Sequence, residues 1–472
     1  MLRRVLLAAA VSIGGGCYSP SIDACQLACA SNNACPDGLA CNAQGVCATS
    51  ATDTCENLDA GDDDPRAVDV LVLDEVGNAA ADARVVFVDA EGTEVAEIMT
   101  GTDGRASAVI GENGTVTVIR TVDTGNAKFL AATTFVAPPE GARLVSQHAP
   151  RTVTTTRTVT FPPMGPNEPT LVASSCGREP VELAPGVATA RIEVFDRCAS
   201  ADYAIASRPS NGAEFPPYLL VAPDRSGTEI SVGGAWATMQ PFTLHYQPVP
   251  SDVSGAAVGA GISVFLAMDA PPVRDIAGGV VGTTMGAVEM YAPVQAPFAS
   301  TLRLQYANPA GTSYQEVHQR QAPGTSAYNT SLVGTLVPYP VMPSVDLAGR
   351  QLSWMELAPG VNPAGEIDGA LISLIYRRGT TPLSWRFVVP ADKLPLQGDT
   401  RTLVFPDLPG DRVFEPVTGD VLIAGEIKTF NVPSPAVRPV MSSLEVLDNN
   451  DRMFTAPGVE GYVITRLQVK VP

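Results

Sequence analysis

The sequence predicts an all-β protein of tandem antiparallel β-sandwiches, placed after an N-terminal signal peptide and a small disulfide-rich module. The backbone composition is one reason, because 42 Gly and 41 Pro among 472 residues favour short strands and turns over long helices. A second reason is that many short segments alternate apolar and polar residues, the period of a half-buried strand. The third is the crowding of six cysteines into residues 25–55, a stretch too short to form its own hydrophobic core.

Composition and charge exclude several classes of protein. A disordered chain or a coiled coil would carry more charge than the 17% found here, and 45% of the residues are hydrophobic. Acidic residues number 49 against 30 basic ones, which gives a formal net charge of -19. Such a chain is repelled by nucleic acid and by anionic lipid surfaces, so we expect no nucleic-acid partner.

The N-terminus carries the pattern of a secretory signal. Met1-Leu2-Arg3-Arg4 is basic, residues 5–13 are apolar, and Gly14-Gly15-Gly16 lies directly before Cys17. This nine-residue run is too short to span a bilayer, which needs about 20 residues, so residues 1–16 are predicted to be a signal peptide. Small residues before a cysteine resemble the bacterial lipobox, although Gly14 stands where that motif usually has Leu. The alternative is ordinary signal cleavage near residues 8–10.

The resemblance to a lipobox implies a lipid on the Cys17 thiol and attachment to the membrane through this N-terminal lipid. Tyr18 follows Cys17, in place of the Asp that resembles an inner-membrane retention signal. We therefore expect an outer-membrane lipoprotein of the cell envelope, facing the periplasm or the cell surface.

The other cysteines form two even sets, which indicates disulfides in an oxidising compartment. The first set allows 15 pairings, and the second set allows one, Cys176 with Cys198. A zinc site is the alternative for the first set, but its spacings lack a CxxC pair and no His is nearby. We expect no metal and no cofactor. The predicted disulfide cysteines are Cys25, Cys29, Cys35, Cys41, Cys47, Cys55, Cys176 and Cys198.

Residues 17–56 are predicted to be a lipid anchor with a cysteine-rich module, and residues 57–66 an acidic linker. The segment CPDGLACNAQGVC at residues 35–47 resembles small modules that follow the lipidated cysteine in bacterial envelope lipoproteins. Asp62-Asp63-Asp64 in the linker could suggest a calcium loop. However, consecutive carboxylates do not converge on one ion as alternating ligands do, so a solvated linker is favoured.

Residues 67–161 are predicted to form the first sandwich. Val68, Val70 and Val72 share one face of a strand, as do two later pairs, Val85 with Phe87 and Val116 with Val118. Four dipeptides that tolerate positive φ separate the strands, Gly77-Asn78, Glu91-Gly92, Asp103-Gly104 and Asn113-Gly114. We expect the strand at residues 152–161 to close this domain.

The strand and turn spacing of this first segment resembles the carboxypeptidase regulatory-like domain, which has a prealbumin-type fold, and bacterial Ig-like repeats share it. The stretches that carry the resemblance are VDVLVLDEVGNAAADARVVFVDAEG and TGTDGRASAVIGENGTVTVI. The resemblance implies a structural or adhesive domain and brings no set of catalytic residues.

A Pro-rich linker is predicted at residues 162–169, followed by β-sandwiches at residues 170–345 and 346–472. Their predicted strands have apolar residues on one side and polar ones, such as Arg303 and Gln305, on the other. The tetrad at residues 448–451, Asp-Asn-Asn-Asp, is predicted to be a hairpin tip, with a calcium site as the alternative. The predicted strand segments are 192–195, 242–246, 302–306, 370–376, 383–389 and 467–471.

The sequence offers few candidates for catalytic, metal-binding or ligand-binding residues. The chain has three histidines, His148, His245 and His318, and we expect His245 and His318, with Glu316, on solvated sheet faces. The sequence contains no HExxH, GxSxG or P-loop motif. Trp236, Trp354 and Trp385 could form a sugar-stacking platform, but the register of Trp354 and Trp385 with apolar neighbours places these two in the core.

The function expected from these observations is that of a non-enzymatic, lipid-anchored cell-envelope protein of structural, adhesive or binding type. Its ligand would be a protein or a polysaccharide. The alternative is an envelope carbohydrate-binding protein or a glycoside hydrolase with dispersed carboxylates, since such pairs can lie far apart in sequence. No catalytic residue is singled out by the sequence.

Substitution of Cys17 tests the predicted anchor. Because the acyl chains of a lipoprotein hold it firmly on the membrane, we expect Cys17→Ser to move the protein into the soluble fraction. Membrane fractionation, together with the mass of the N-terminal peptide, measures the change. Unchanged fractionation, with no added mass on the wild-type peptide, would contradict lipidation.

Overall fold

The computed structural model divides the chain into two compact units, Met1–Pro65 and Arg66–Pro472. The residues that the structure describes are 40–41, 47–48, 50, 67–74, 77–123, 128–139, 141–147, 154–163, 169–177, 180–195, 200–207, 218–238, 240–246, 258–265, 273–281, 286–292, 299–307, 313–321, 327–330, 335–358, 365–408, 414–432, 437–443, 447 and 461–469.

In the first unit, β1 (Ala40–Cys41) and β2 (Cys47–Ala48) form an antiparallel pair. The pairing sets the Cα atom of Cys41 opposite that of Cys47. The remaining cysteines of the module, the signal peptide and the acidic linker lie outside the described residues, as does the Asp62-Asp63-Asp64 run.

The described strands of the second unit fall into four consecutive groups. The first group is β3 (Val68–Leu73), β4 (Arg84–Val88), β5 (Glu94–Met99), β6 (Arg105–Ala108), β7 (Thr115–Asp123), β8 (Lys128–Val136) and β9 (Arg143–Gln147). The second group is β10 (Thr154–Thr160), β11 (Thr170–Ser174), β12 (Val181–Leu183), β13 (Thr189–Phe195), β14 (Ser200–Ser207), β15 (Tyr218–Ser226), β16 (Glu229–Ser231) and β17 (Ala237–Thr238).

The two C-terminal groups complete the list. The third group is β18 (Gln240–Tyr246), β19 (Val258–Phe265), β20 (Val273–Val281), β21 (Gly286–Ala292), β22 (Ala299–Ala307), β23 (Ser313–Gln321) and β24 (Ala327–Thr330). The fourth group is β25 (Tyr339–Asp346), β26 (Gln351–Leu357), β27 (Gly369–Arg378), β28 (Thr381–Pro390), β29 (Leu396–Gln397), β30 (Thr400–Val404), β31 (Val421–Asn431) and β32 (Gly461–Val469). The described residues of the fourth group also include a 3-10 turn, Ala391–Lys393, and a short helix, α1 (Val437–Met441).

A twelve-stranded sheet dominates the unit. Its order is β20-β19-β22-β23-β32-β31-β27-β28-β8-β7-β4-β5, and it draws strands from all three segments that the sequence analysis separated at residues 161 and 345. All neighbours in it are antiparallel except β28 and β8, which run parallel in the register Leu383 to Leu130 through Val388 to Phe135. This parallel pairing joins the N-terminal strands to the C-terminal ones.

The centre of this sheet is buried on both faces. Val85 and Phe87 of β4 lie in one hydrophobic core, which they share with Val68, Val70 and Val72 of the three-stranded sheet β6-β3-β9. The intervening residues of β4, Val86 and Val88, lie in a second core on the opposite face. That second core includes apolar residues of the four-stranded sheet β25-β26-β30-β29. The sheet is therefore the middle of three layers.

The all-β prediction with antiparallel sheets is confirmed, and so are the details of the first segment. The three face-sharing sets of that segment are all buried in the first core. Positive φ occurs in each predicted turn, at Gly77 (92°), Gly92 (80°), Gly104 (68°) and Asn113 (69°). The prediction of one-sided strands was wrong for β27 and β28, whose residues are buried on both sides because two cores enclose them.

A separate two-layer sandwich is formed by the sheets β13-β10-β16 and β12-β11-β14-β15-β17. The expectation that the strand at residues 152–161 closes the first domain was wrong. That strand, β10, pairs with β13 and β16, because Val159 and the following Phe161 pack into the core of this sandwich beside Ile192 and Tyr203. A further three-stranded sheet, β21-β18-β24, is formed by strands of the third group. Within the described residues, no helix has the length and apolar content needed to cross a membrane.

Trp385 stabilises the join between β28 and β8. The side chain is fully buried, and its indole N–H donates to Thr134 Oγ1 at 2.9 Å. Since Thr134 accepts that proton, its own hydroxyl can donate to Thr117 Oγ1, also 2.9 Å away, on β7. Three strands are thus linked through one buried polar chain, while Phe387 packs against the indole with ring centroids 4.7 Å apart.

We expect Trp385→Ala to lower the free energy of unfolding by about 3–5 kcal/mol, because it leaves a large cavity and removes the hydrogen bond that Thr134 Oγ1 accepts. Trp236→Ala is the matched control, since Trp236 is only partly buried and its loss should cost less. Urea denaturation followed by far-ultraviolet circular dichroism measures both. An equal effect of the two substitutions would contradict this role for Trp385.

Candidate ligand-binding cleft

An open cleft of about 570 Å³ lies at one end of the four-stranded sheet. Its described lining is residues 343–348, residues 417–422 and Val469. Residues 343–348 comprise the end of β25 and the turn after it. Residues 417–422 comprise the loop before β31 and the first two residues of that strand, and Val469 is the last residue of β32. A cleft of this volume, lined by both apolar and polar residues, is typical of a site for a small ligand or for a single side chain of a larger ligand.

The turn after β25 is fixed by the carboxylate of Asp346. Asp346 Oδ1 accepts the N–H of Gly349 at 2.8 Å, and a Cβ atom on Gly349 would lie 2.3 Å from Oδ2. A side chain at position 349 would therefore displace the Asp346 carboxylate from this hydrogen bond. The next residue, Arg350, has a φ of 52° and pairs with Asp407 at 2.5 Å. The Asp346 side chain itself remains exposed on the cleft wall.

The opposite wall is held by Arg378. Its Nε and Nη2 atoms donate to the two oxygens of Asp420, at 3.0 and 2.8 Å, and Nη2 also donates to the carbonyl of Glu415 at 2.6 Å. Asp420 Oδ2 in turn accepts the N–H of Val417 at 2.9 Å, while Gly419 between them has a φ of 99°. The side chain of Asp420 is 1% exposed and that of Arg378 is 32% exposed.

The electrostatics of this wall do not suit Asp420 to act as a general acid. The hydrogen bonds from Arg378 hold the pKa of the Asp420 carboxyl below its usual range, so it stays ionised at neutral pH. A glycoside hydrolase needs one carboxyl with a raised pKa as the proton donor, and Asp420 has the opposite shift. The described lining contains hydroxyls, carboxylates and apolar side chains, but no His, Cys or Lys.

The expectation of a solvated face for Glu316 and His318 was wrong. Both residues of β23 are buried, 7% and 5% exposed, and Glu316 Oε2 lies 3.2 Å from His318 Nε2. The His318 ring stacks on Tyr462 of β32 with a centroid distance of 4.4 Å. Tyr462 is the cross-strand partner of His318, and its ring covers the imidazole. Nearby, burial also raises the pKa of the Tyr314 hydroxyl.

The core placement of two tryptophans is confirmed. Trp354 is 1% exposed and Trp385 is fully buried, so neither can stack on a sugar. Trp236 is partly buried, donates its N–H to the carbonyl of Pro162 at 3.2 Å and meets Phe161 edge-on. His245 lies on β18, opposite Ala287 of β21. His148 and the tetrad at residues 448–451 lie outside the described residues.

Of the predicted site cysteines in the second unit, Cys176 is described. It is buried at a turn after β11, and it is disulfide-bonded. Gly177 forms a bridge with Val194 of β13, which brings this turn to the end of that strand. Cys198 lies outside the described residues, as do Cys17, Cys25, Cys29, Cys35 and Cys55.

Sequence reasoning missed the cleft. Its two walls are about 75 residues apart in the chain, and each consists of ordinary turn residues. The local signals that exist are Asp346 three residues before Gly349, and Gly419 directly before Asp420. These signals predict turns, but not that the two turns lie at the same end of one sandwich.

Comparison with known proteins gives weak similarities only. No protein-family model matches the chain, and no curated protein matches it. Among solved structures, it is similar to the Bacillus anthracis TIE protein (12% identity, 56% of this chain and 50% of that one, TM-score 0.14). A putative adhesin from Bacteroides ovatus also matches (9% identity, 38% and 90%, TM-score 0.15), as do the FN1–FN3 domains of chicken CNTN1 (11% identity, 57% and 85%, TM-score 0.12).

The chain spans half the length of the TIE protein that it matches. TM-scores of 0.12–0.15 are too low to transfer either a fold or a function to this chain. Its class, an all-β protein of antiparallel sheets, rests on its own strands, and no family is assigned to it.

The ion pair beneath the cleft gives a testable pH dependence. We expect Asp420→Asn to destabilise the protein by about 1–2 kcal/mol at neutral pH, a value reduced because Arg378 is partly exposed. Since the folded-state pKa of Asp420 is lowered, its contribution is present above the unfolded-state pKa, near 3.8, and is lost as the pH falls through the folded-state pKa. The difference in the free energy of unfolding between wild type and Asp420→Asn should therefore become smaller at acid pH.

Urea denaturation at neutral and acid pH measures this difference. Asp392→Asn is the control, because Asp392 is exposed and pairs only with its neighbour Lys393 among the described contacts. A difference between wild type and Asp420→Asn that stays constant with pH would contradict the assignment.

Proposed function

We propose that the protein is a non-enzymatic, lipid-anchored cell-envelope protein of structural, adhesive or binding type. Cys17 carries the lipid, the cysteine-rich module is closed by disulfides, and the β-sandwiches are presented outside the membrane surface. The signal sequence and the odd cysteine at residue 17 support the anchor. Tyr18 supports the outer membrane as the location.

The observation that carries a binding function is the cleft at the end of the four-stranded sheet. Its walls are held by Arg378, Arg350 and Asp346 through hydrogen bonds and ion pairs, so the shape exists before a ligand arrives. Preformed sites lose little conformational entropy on binding. The exposed carboxylate of Asp346 beside apolar residues such as Val345 and Val417 suits a peptide side chain or a sugar.

The pairing of Cys176 with Cys198 belongs to the same proposal. Cys176 is disulfide-bonded, and the bridge between Gly177 and Val194 brings its turn near the strand end from which Cys198 follows. An oxidising envelope compartment agrees with such a bond. The loop closed by this pairing would contribute on the order of 3 kcal/mol through the reduced entropy of the unfolded chain.

The test is binding of the purified full chain to arrays of glycans and of extracellular proteins. We expect saturable binding to one ligand class, and at least tenfold weaker binding for Ser344→Trp, which fills the cleft. Thr228→Trp is the matched control, because Thr228 lies in an exposed turn of the separate sandwich. Equal binding by Ser344→Trp and wild type, or no saturable binding at all, would contradict the cleft as the site.

The same arrays distinguish the alternative. Release of shortened glycans after incubation would show hydrolysis and would overturn the non-enzymatic proposal. Glycan binding that is lost in Trp236→Ala but retained in Ser344→Trp would instead favour a carbohydrate site around Trp236, the one tryptophan of three that is not fully buried.

A further inference from the structure

The wall of the cleft at the end of the four-stranded sheet carries a carboxylate that can still accept a ligand. Asp346 is exposed, and its Oδ1 atom accepts the N–H of Gly349 at 2.8 Å. Within the described part of the chain, no Lys, Arg or His forms an ion pair with Asp346. Its negative charge, and the hydrogen-bonding capacity of its second oxygen, therefore remain available to a molecule in the cleft.

The two arginines that hold the cleft walls do not neutralise this charge. Arg378 is bound to both oxygens of Asp420, and Arg350 pairs with Asp407 at 2.5 Å. Each guanidinium is thus matched by a carboxylate of its own, which leaves the charge of Asp346 in excess. The whole chain also has a net charge of -19. A positively charged ligand is therefore favoured in the cleft and during its approach.

Exposed apolar side chains border the same cleft. Val417 and Val421 belong to its lining and are 45% and 49% exposed. Met342, directly before the lining residue Pro343, is 74% exposed, and Ile423, two residues after Val421, is also exposed. Exposed apolar side chains grouped beside a concave site are typical of a surface that binds another protein.

The composition of the lining favours a protein over a polysaccharide. Its described residues include no Phe, Tyr or Trp, so the cleft offers no aromatic ring on which a sugar could stack. A lysine or arginine side chain combines an apolar stem with a charged head. This combination matches the apolar lining residues Val345 and Val417 together with the carboxylate of Asp346.

We infer that the cleft receives a lysine or arginine side chain of a protein partner, and that apolar neighbours of this side chain cover the exposed border of the cleft. The charged head binds the Asp346 carboxylate, and the stem packs against the apolar lining. This inference rests on the proposed binding function of the cleft and specifies the chemistry of its ligand.

The test is a titration of the purified full chain with a blocked peptide, Ser-Gly-Leu-Lys-Leu-Gly-Ser, followed by saturation-transfer difference NMR. We expect saturable binding by wild type, and about five- to tenfold weaker binding when Gln replaces the lysine of the peptide. Added salt should weaken the binding of the lysine peptide but not that of the glutamine peptide, because salt screens the ion pair.

Asp346→Asn should reduce binding of the lysine peptide to the level of the glutamine peptide, with no further loss when the two changes are combined. Asparagine keeps an oxygen for the Gly349 N–H at an exposed position, so we expect this variant to fold, as circular dichroism would verify. Asp103→Asn is the matched control, because Asp103 is also exposed and accepts a backbone N–H, that of Arg105, in a turn outside the cleft. It should bind the lysine peptide as wild type does.

The Ser344→Trp variant separates failure of this inference from failure of the proposed function. Equal binding of the lysine and glutamine peptides, or equal binding of the lysine peptide by wild type and Asp346→Asn, would overturn the inference. So would an absence of peptide binding, or glycan binding that is lost in Ser344→Trp but retained in Asp346→Asn. In that last case the cleft would still be a binding site. Lysine-dependent binding that Ser344→Trp leaves intact would contradict both the inference and the cleft as the site.

Discussion

The parallel pairing of β8 with β28 is the interaction on which the second unit depends. Through this pairing, four strands from the N-terminal segment and eight strands from the remainder of the chain form one sheet. Once β8 and β28 are paired, the sheets β6-β3-β9 and β25-β26-β30-β29 can cover opposite faces of the twelve-stranded sheet. Alternate residues of β4, such as Val85 and Val86, then enter different cores. The fold is therefore more integrated than a row of independent sandwiches.

Local features of this fold could be predicted from the sequence, because they depend on neighbouring residues. The alternation of Val68, Val70 and Val72 has one period whichever sheet the strand joins, and Gly104 favours positive φ in any turn. The pairing partners of a strand could not be predicted in this way. Nothing in the threonines of β10 distinguishes pairing with β9 from pairing with β13, and the decision is made by where Val159 finds a core. The parallel pairing of β8 with β28 likewise has no signal in the local sequence.

The same distinction explains the candidate sites. Trp354 and Trp385 were placed in the core correctly, because their strand neighbours are apolar on the same face. Glu316 and His318 alternate in the same way but are polar, so their register indicates a solvent-exposed face. Both are nevertheless buried, and Tyr462 of β32 covers the His318 ring. The cleft arises from residues far apart in sequence, and it is not visible in the pattern of a single strand.

The join between β28 and β8 also sets the order in which this chain can fold. Thr134 and Trp385, which meet across it, are separated by 251 residues. Until β28 is available for pairing, β8 ends a sheet with an open edge of unpaired N–H and C=O groups. Such edges invite association with other chains, and contacts between distant residues form slowly because a long loop must close first. The N-terminal strands are therefore exposed to association with other chains for as long as the C-terminal strands are not available to pair with them.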